Sequence, residues 1–157
     1  MKKILVTGGG GYIGTTLVPL LLDSGYTVKV LDRFFFGDEL LLPHKNLELI
    51  YGDIRLIEEK VFDGVDAVID LAALSNDPSG ELFQDSTYDI NHKARANVAR
   101  IAKKAGVSRY ILPSSCSIYG FLEEGIIADE KSDVNPLTTY AKANYAAEND
   151  ILSLSDN

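Results

Sequence analysis

The stretch Ile4-Leu5-Val6-Thr7-Gly8-Gly9-Gly10-Gly11-Tyr12-Ile13-Gly14 decides the fold of this chain. Its first three residues form a short apolar run, which is typical of a buried strand in a parallel sheet. A glycine-rich turn follows, and apolar residues then recur at helical spacing, at Ile13, Leu17, Leu20 and Leu21. The sequence therefore predicts a strand, a tight turn and a helix, in that order.

Three glycines in this turn have the spacing of a turn that holds an anion between a strand and a helix. We expect Gly8 to permit the tight turn, Gly11 to let the backbone approach a pyrophosphate, and Gly14 to let the helix pack closely on the sheet. Backbone amides at the helix N-terminus would then face the anion. The alternative is an ordinary turn without a ligand, because flexible turns also use glycine.

The rest of the chain repeats the alternation of short apolar strands and amphipathic helices. We expect further strands at 27–31, 47–51, 67–71 and 109–112, and long helices at about 86–105 and 138–154. Gly25 and Gly106 are expected to end the helices that precede them. This alternation implies right-handed crossovers and an α/β fold with a doubly wound parallel sheet of strand order 3-2-1-4-5. A ligand would bind at the switch point above strands 1 and 4.

Length, charge and cysteine content narrow the functional class. The chain has 157 residues, which favours a single domain, and its formal charge of −8 would repel a phosphate-rich polymer, so no nucleic-acid partner is expected. No apolar run approaches the roughly 20 residues that span a bilayer, and the single cysteine allows no internal disulfide. We therefore expect a cytoplasmic protein without a membrane partner. The two histidines, His44 and His92, lack metal-ligand spacing, so no metal site is predicted.

Two charged residues at the end of the second predicted strand bear on the choice of cofactor. A carboxylate at Asp32 can accept hydrogen bonds from adenosine ribose hydroxyls and would repel a 2′-phosphate, which favours NAD over NADP. Arg33 leaves NADP open, because an adjacent arginine can hold a phosphate. Asp32 could instead be a turn residue that serves only the strand end.

Several motifs, in order along the chain, resemble those of the extended short-chain dehydrogenase/reductase family, of the NAD-dependent nucleotide-sugar epimerase and dehydratase type. The segments that carry the resemblance are the glycine turn, Gly52-Asp53-Ile54-Arg55, Leu71-Ala72-Ala73, Asn91, Ser114-Ser115-Cys116-Ser117-Ile118-Tyr119-Gly120 and Pro136-x-x-x-Tyr140. They run along the whole chain but match only the N-terminal part of a family member. The resemblance thus implies a Rossmann-type domain over residues 1–157, with the C-terminal strands and the substrate region missing.

The resemblance also implies NAD as the cofactor and a role for individual residues. The residues implied to contact the cofactor are Gly8, Gly11, Tyr12, Ile13, Gly14, Asp32, Arg33, Asp53, Ile54, Leu71, Ala72, Ala73 and Asn91. In the family a tyrosine takes a proton from a sugar hydroxyl while NAD takes hydride from the same carbon, which makes Tyr140 the implied base and Ser115 its hydrogen-bonding neighbour. The alternatives are a capping role for Ser115 and a packing role for Tyr140.

One position departs from the family pattern Tyr-x-x-x-Lys, because the lysine position holds Asn144. The family lysine would lie one helical turn from Tyr140, and its charge would lower the pKa of the phenol. Asn144 can keep a hydrogen bond but brings no charge. Lys142 cannot replace the lysine, because two residues along a helix turn the side chain by about 200°. We therefore expect severely reduced proton transfer.

The resemblance implies an epimerase that oxidises and reduces the sugar 4-position of a nucleotide sugar, with UDP-hexose as the substrate, present here as a weakly active or inactive portion. A dehydratase or reductase of the same family is a further alternative, although Cys116-Ser117 stands where related dehydratases carry an Asp-Glu pair. A non-catalytic NAD-binding module and a structural interaction protein also stay open. We expect the two long helices to pair subunits in a homodimer, and the fifth strand to be an exposed sheet edge.

Overall fold

A computed structural model describes residues 2–156 as a five-stranded parallel sheet with helices on both faces. The strands are β1 (Lys3–Thr7), β2 (Thr27–Asp32), β3 (Leu47–Tyr51), β4 (Ala67–Asp70) and β5 (Arg109–Ile111). Their order in the sheet is β3-β2-β1-β4-β5, and every neighbouring pair is parallel, which confirms the predicted fold class and strand order. Thr7 pairs with both Leu31 and Asp70, so the carboxyl ends of β2, β1 and β4 lie side by side.

Helices and short 3₁₀ turns connect the strands. The helices are α1 (Gly14–Asp23), α2 (Asp77–Leu82), α3 (Gln84–Thr87), α4 (Arg95–Lys104) and α5 (Thr139–Leu152), and the 3₁₀ turns are Ile54–Leu56, Glu59–Phe62 and Cys116–Tyr119. Gly25 and Gly106 follow α1 and α4 with φ of 84° and 81°, so the predicted glycine stops are confirmed. α5 begins after Thr138, whose hydroxyl accepts a hydrogen bond from the Ala141 amide at 3.1 Å.

The long helix expected at 86–105 is not a single regular α-helix. α3 passes into a π-helical segment, Tyr88–Ala94, which passes into α4. π-Helical turns are rare and occur frequently at functional sites. Asn91, inside this segment, is buried and bonded to the backbone of a distant loop, a tertiary contact that helical periodicity does not reveal.

The core consists of two hydrophobic clusters, one on each face of the sheet. Alternate residues of β1 divide between them: Val6 packs with Val18 of α1, whereas Leu5 packs with Val98 of α4 and with Phe62. Both faces are covered, as a parallel sheet requires. Within residues 2–156, β5 pairs only with β4 and so forms one edge of the sheet, as predicted. None of the helices in this part of the chain has the length and apolar character that would let it cross a membrane.

Candidate functional site

Gly8 brings the glycine turn against the carboxyl end of β4. Its φ is +69°, and a Cβ at this position would lie 2.6 Å from the backbone nitrogen of Ala72. The Gly8 amide donates to the Leu31 carbonyl at 2.8 Å, and its own carbonyl accepts from the Gly11 amide at 3.1 Å. Only glycine fits here, because both the backbone conformation and the adjacent chain exclude a side chain.

Two further glycines of the turn, which the spacing argument did not single out, also approach neighbouring residues closely. A Cβ on Gly9 would lie 2.7 Å from a methyl group of Val30 in β2, and one on Gly10 would lie 2.8 Å from the Phe34 ring. Gly14 was expected to let the helix pack closely on the sheet, and a Cβ on Gly14 would overlap the backbone of Gly9, which itself lies against Val30. The helix therefore approaches the sheet through the turn itself.

Tyr12 and Ile13 direct their side chains away from the sheet. Tyr12 is 96% exposed and Ile13 is 59% exposed. A contact of Tyr12 or Ile13 with the cofactor therefore stays a prediction. Their backbone amides lie where the first turn of a helix leaves amides without an intrahelical partner, so they can also bind a ligand at the start of α1.

The Asp32 carboxylate links the end of β2 to the glycine turn. Its Oδ2 accepts from the Gly10 amide at 2.9 Å, and its Oδ1 accepts from the Phe34 amide at 2.8 Å. These bonds agree with the alternative of a turn residue, but an ionised carboxylate has about four acceptor sites and can bind a further donor. Asp32 therefore serves the turn and still offers acceptor capacity to a ligand.

Arg33 is an exposed side chain that forms an ion pair with Asp53. Its Nη1 lies 3.3 Å from Asp53 Oδ2, and its guanidinium carbon lies 4.2 Å above the centre of the Phe35 ring. Arg55 bonds the same carboxylate, with Nη2 at 2.6 Å from Oδ2, and this bonding holds the pKa of Asp53 below its usual value. The arginine that left NADP open is thus already paired with a carboxylate.

These residues surround a cavity of about 530 Å³ at the carboxyl ends of the strands. Nine residues expected from the sequence line it: Gly8, Gly11, Asp32, Arg33, Asp53, Ile54, Leu71, Ala72 and Ala73. Phe35 and Phe36, from the aromatic run 34–36 that was expected to pack near the cofactor, also line it. Sequence interpretation missed other lining residues, among them Ser75, Asn76, Ser79, Phe83 and Ile90. Phe83 lies where α2 meets α3, and no sequence pattern indicated that its side chain would line the cavity.

Asn91 was expected to contact the cofactor, but it does not line the cavity. It is fully buried, its Nδ2 donates to the Leu74 carbonyl at 2.9 Å, and its Oδ1 accepts from the Leu74 amide at 2.8 Å. Both polar ends of the side chain are therefore used by the loop after β4. Asn91 holds the cavity wall in place from the π-helical segment.

The two expected catalytic residues lie on elements that pack against each other, the 3₁₀ turn Cys116–Tyr119 and α5. Ser115 precedes the 3₁₀ turn, and its Oγ accepts from the Ser117 amide at 3.2 Å, which is the capping alternative. Tyr140 is half-buried in the first turn of α5. A Cβ on Gly80 of α2 would lie 3.0 Å from the Tyr140 Cβ, so α2 packs closely on this residue.

Asn144 lies in the interior, with 2% of its surface exposed. Its Nδ2 donates to the Tyr140 carbonyl at 2.9 Å, and its Oδ1 accepts from Nη1 of Arg95 at 2.8 Å. The side chain keeps a hydrogen bond, as expected, but the bond is to a buried cation on α4. The sequence interpretation missed Arg95, although its spacing from Asn91 and Val98 places it on the buried face of the helix.

A buried carboxylate accompanies this cation. Asp70, at the end of β4, is fully buried, accepts from the Thr7 hydroxyl, and lies with Oδ2 at 3.5 Å from Arg95 Nε. The Tyr110 hydroxyl donates to Asp70 at 2.5 Å, and burial, followed by the charge of Asp70, raises the pKa of Tyr110. The charged groups thus form one network beneath the carboxyl ends of β1, β4 and β5.

Other expected features are quickly placed. Lys142 is exposed, and Cys116 is an exposed free thiol. His92 pairs with Asp150 at 2.9 Å near the protein surface. In the part of the chain that the structure describes, no three His, Cys, Asp or Glu side chains are grouped to hold a metal ion.

Comparison with known proteins relates this architecture to characterised families. The profile of the NAD dependent epimerase/dehydratase family matches residues 4–157. A 3 beta-hydroxysteroid dehydrogenase/Delta 5-->4-isomerase of Mycobacterium tuberculosis (strain CDC 1551 / Oshkosh) is 32% identical over 124 residues, which cover 75% of this chain and 33% of that protein.

Solved structures agree with the sequence match. The UDP-N-acetylglucosamine 4-epimerase of Methanobrevibacter ruminantium M1, in complex with UDP-N-acetylmuramic acid, is 28% identical with a TM-score of 0.90, covering 97% of this chain and 50% of that one. The UDP-glucuronic acid 4-epimerase of Bacillus cereus, in complex with NAD, is 26% identical with a TM-score of 0.85, covering 97% and 52%. This chain thus spans a third to about half of the length of these proteins. Since the family profile matches nearly every residue, the chain belongs to the NAD dependent epimerase/dehydratase family.

Proposed function

We propose that this chain binds NAD in the cavity at the carboxyl ends of β1, β2 and β4, and that the intact protein is a nucleotide-sugar epimerase acting on the sugar 4-position of a UDP-hexose. The observation that carries the proposal is the glycine turn, which lies against Ala72 on one side and is bonded by Asp32 on the other. Family membership and the solved relatives with NAD and UDP-sugars support it.

The residues present fit NAD. Gly8, Gly9 and Gly10 leave no room for side chains, so the turn exposes backbone to a pyrophosphate at the start of α1. Asp32 can accept from the adenosine ribose, and Asp53 keeps Arg33 engaged, which disfavours a 2′-phosphate. A volume of about 530 Å³ is within the range of cofactor sites.

The chain's own residues would hold and move the proton. When bound, NAD supplies the hydride acceptor. Tyr140 would take the proton from the sugar hydroxyl, and Ser115 would bond the same oxygen. The Ser115 hydroxyl would donate to that oxygen while it still accepts from the Ser117 amide.

A calorimetric titration of the chain with NAD and with NADP tests the binding part. We expect saturable binding of NAD and weaker binding of NADP. Gly11→Ala adds a methyl group 3.3 Å from the Gly8 carbonyl without a forbidden φ, so it should weaken NAD binding while the protein stays folded. Gly25→Ala is a control outside the cavity lining: its Cβ would have no neighbour within 4 Å, and although its φ of +84° lowers stability by about 1 kcal/mol, NAD affinity should not change. Equal NAD affinity in both variants would reject the site.

A non-catalytic NAD-binding module is the second candidate. The observation in its favour is Asn144, which is bonded to Arg95 and Tyr140 and carries no charge of its own. Interconversion of UDP-glucose and UDP-galactose by the intact protein separates the two candidates, and sustained turnover that depends on Tyr140 would exclude the module.

The quaternary and cellular parts of the proposal are a homodimer in the cytoplasm. α4 and α5 pack on one another within the chain, and Lys103 Nζ donates to the Leu154 carbonyl at 2.6 Å. Their outer faces would pair with the same faces of a second copy. Light scattering over a range of concentrations tests this, and a constant monomer mass would contradict it.

A further inference from the structure

Arg95 is a charged side chain in the interior, with 2% of its surface exposed. Its Nη2 donates to the carbonyls of Asp70 and Pro113 at 3.0 and 3.1 Å, and its Nη1 donates to Asn144 at 2.8 Å. The guanidinium thus joins the ends of β4 and β5 to α5. A buried charge is costly unless it is paired and hydrogen-bonded, which makes so many partners a specific arrangement.

The guanidinium uses three of its five N–H groups in hydrogen bonds. Among the described residues, its Nε is the one buried side-chain polar atom without a hydrogen bond, and it lies 3.5 Å from Asp70 Oδ2. The contact to residue 144 needs an acceptor that faces Arg95. The Asn144 amide provides this acceptor and also donates to the Tyr140 carbonyl.

A lysine at position 144 would meet a different environment from the one that its family pattern assumes. Its ammonium would be placed beside the Arg95 guanidinium, in an interior where like charges repel strongly. Neither cation could accept the bond that Asn144 Oδ1 now accepts. Position 144 and position 95 can therefore hold one cation between them, and this chain holds it on α4.

We infer that Arg95 is a positioning residue that orients Asn144 and, through it, the first turn of α5 that carries Tyr140, and that its buried charge determines which side chains position 144 can hold. The inference rests on the proposed function for the significance of Tyr140. It predicts that residue 144 must be neutral or negative as long as Arg95 is present.

Thermal unfolding of three variants tests this on the whole chain. Asn144→Asp keeps an acceptor for Arg95, the neutral Asn144→Leu keeps none, and Asn144→Lys places a second cation beside the guanidinium. Near neutral pH we expect the Asp variant to be at least as stable as the Leu variant, and the Lys variant to melt lower than both by about 5 °C or more. A Lys variant as stable as the Asp variant would overturn the inference.

The direction of the pH dependence is the sharper measurement. If Arg95 governs the site, the carboxyl of the Asp variant has a lowered pKa, and its stability relative to the Leu variant is lost as the pH falls below the unfolded-state pKa of about 4. If burial governs instead, that relative stability rises as the pH drops, and the inference fails. In the Asp variant, a second change Arg95→Met should reverse the direction, whereas Arg95→Lys should retain it.

Few other charged groups face residue 144. Asp70 and Tyr110 lie behind Arg95. Asp77 and Glu81 contact the start of α5, and His92 pairs with Asp150 on the outer surface of that helix. All are common to the three variants and cancel in the comparison.

The effect of residue 144 on the position of Tyr140 is measured separately, by NMR. The NMR signal of ¹³C-labelled Tyr140, assigned with Tyr140→Phe, should shift in Asn144→Leu and stay in place in Lys142→Gln, an exposed control on the same helix. An unmoved Tyr140 signal in Asn144→Leu would overturn the positioning role. A wild-type chain that binds no NAD would reject the proposed function, and the pH comparison would still decide the role of Arg95.

Discussion

Gly8 offers the most direct test of how the glycine turn joins folding to cofactor binding. In Gly8→Ala the new methyl group would lie 2.6 Å from the Ala72 nitrogen and 2.8 Å from the Leu71 carbonyl carbon. Both are backbone atoms of the sheet end and cannot turn away as a side chain could. The residue would also hold a φ of +69°, which alanine rarely adopts.

The size of the effect follows from these two costs. The left-handed conformation costs about 1 kcal/mol and overpacking about 1–3 kcal/mol, so the free energy of unfolding should fall by about 3 kcal/mol. For a chain of this length that lowers the Tm by about 6–12 °C. Gly106→Ala is the matched control, because it has a φ of +81° but open space around its Cβ. It should lose only about 1 kcal/mol, or about 2–4 °C.

Thermal unfolding followed by circular dichroism, without and with NAD, measures both effects. At a concentration about 100 times its Kd, NAD should stabilise the wild-type chain and Gly106→Ala by about 2.7 kcal/mol, or about 5–11 °C. Gly8→Ala should lose this increase, because the turn that it displaces is the proposed pyrophosphate site. Equal Tm losses in the two variants, with equal NAD-induced gains, would refute the assignment of Gly8 to both the sheet contact and the site.

Three further predictions concern the cavity and the network beneath it. Asp53→Asn removes the charge that engages Arg33, so the ratio of NADP to NAD affinity should rise about tenfold in parallel calorimetric titrations, and an unchanged ratio would show that Arg33 does not reach the 2′-position. Asn91→Leu removes two hydrogen bonds to the loop after β4, which should lower stability by about 2 kcal/mol and weaken NAD binding, whereas unchanged NAD affinity would limit Asn91 to folding. Burial raises the pKa of Tyr110, so its contribution to stability is complete below the unfolded-state pKa of about 10 and is lost as the pH rises above it. In Tyr110→Phe the denaturation midpoint should therefore fall less steeply with pH in alkaline solution than in the wild-type chain. An equally steep fall in both proteins would contradict this.

The glycine turn made the fold predictable because it constrains three levels of structure together. Its position after Ile4-Leu5-Val6 and before an amphipathic helix determined the first crossover, and the same alternation then predicted the order of the sheet. Strand ends were predicted to within one residue, because the apolar runs stop where the backbone leaves the sheet. Periodicity and turn chemistry are local properties, so one sequence suffices to detect them.

The site was less predictable, because its details depend on contacts between distant residues. Asn91 was assigned to the cofactor by its motif, but its amide is used by Leu74, seventeen positions away along the chain. Phe83 lines the cavity from the junction of α2 and α3, whose position relative to the sheet a sequence pattern does not determine. Arg95 was overlooked because an arginine in a helix is ordinarily solvated, although its helical spacing matched the buried face.

In the sequence alone, Asn144 looks like the loss of the family lysine, whereas in the structure it is paired with Arg95. Asn144 by itself removes a cation from the helix of Tyr140, and a lysine restored there would be expected to recover proton transfer. Beside Arg95 the same lysine would be a second cation in a buried site that already contains one, balanced by Asp70. A family motif compared one position at a time therefore misjudges this chain, because the charge at position 144 is coupled to the charge at position 95. The lysine can be tested fairly only together with a neutral residue in place of Arg95.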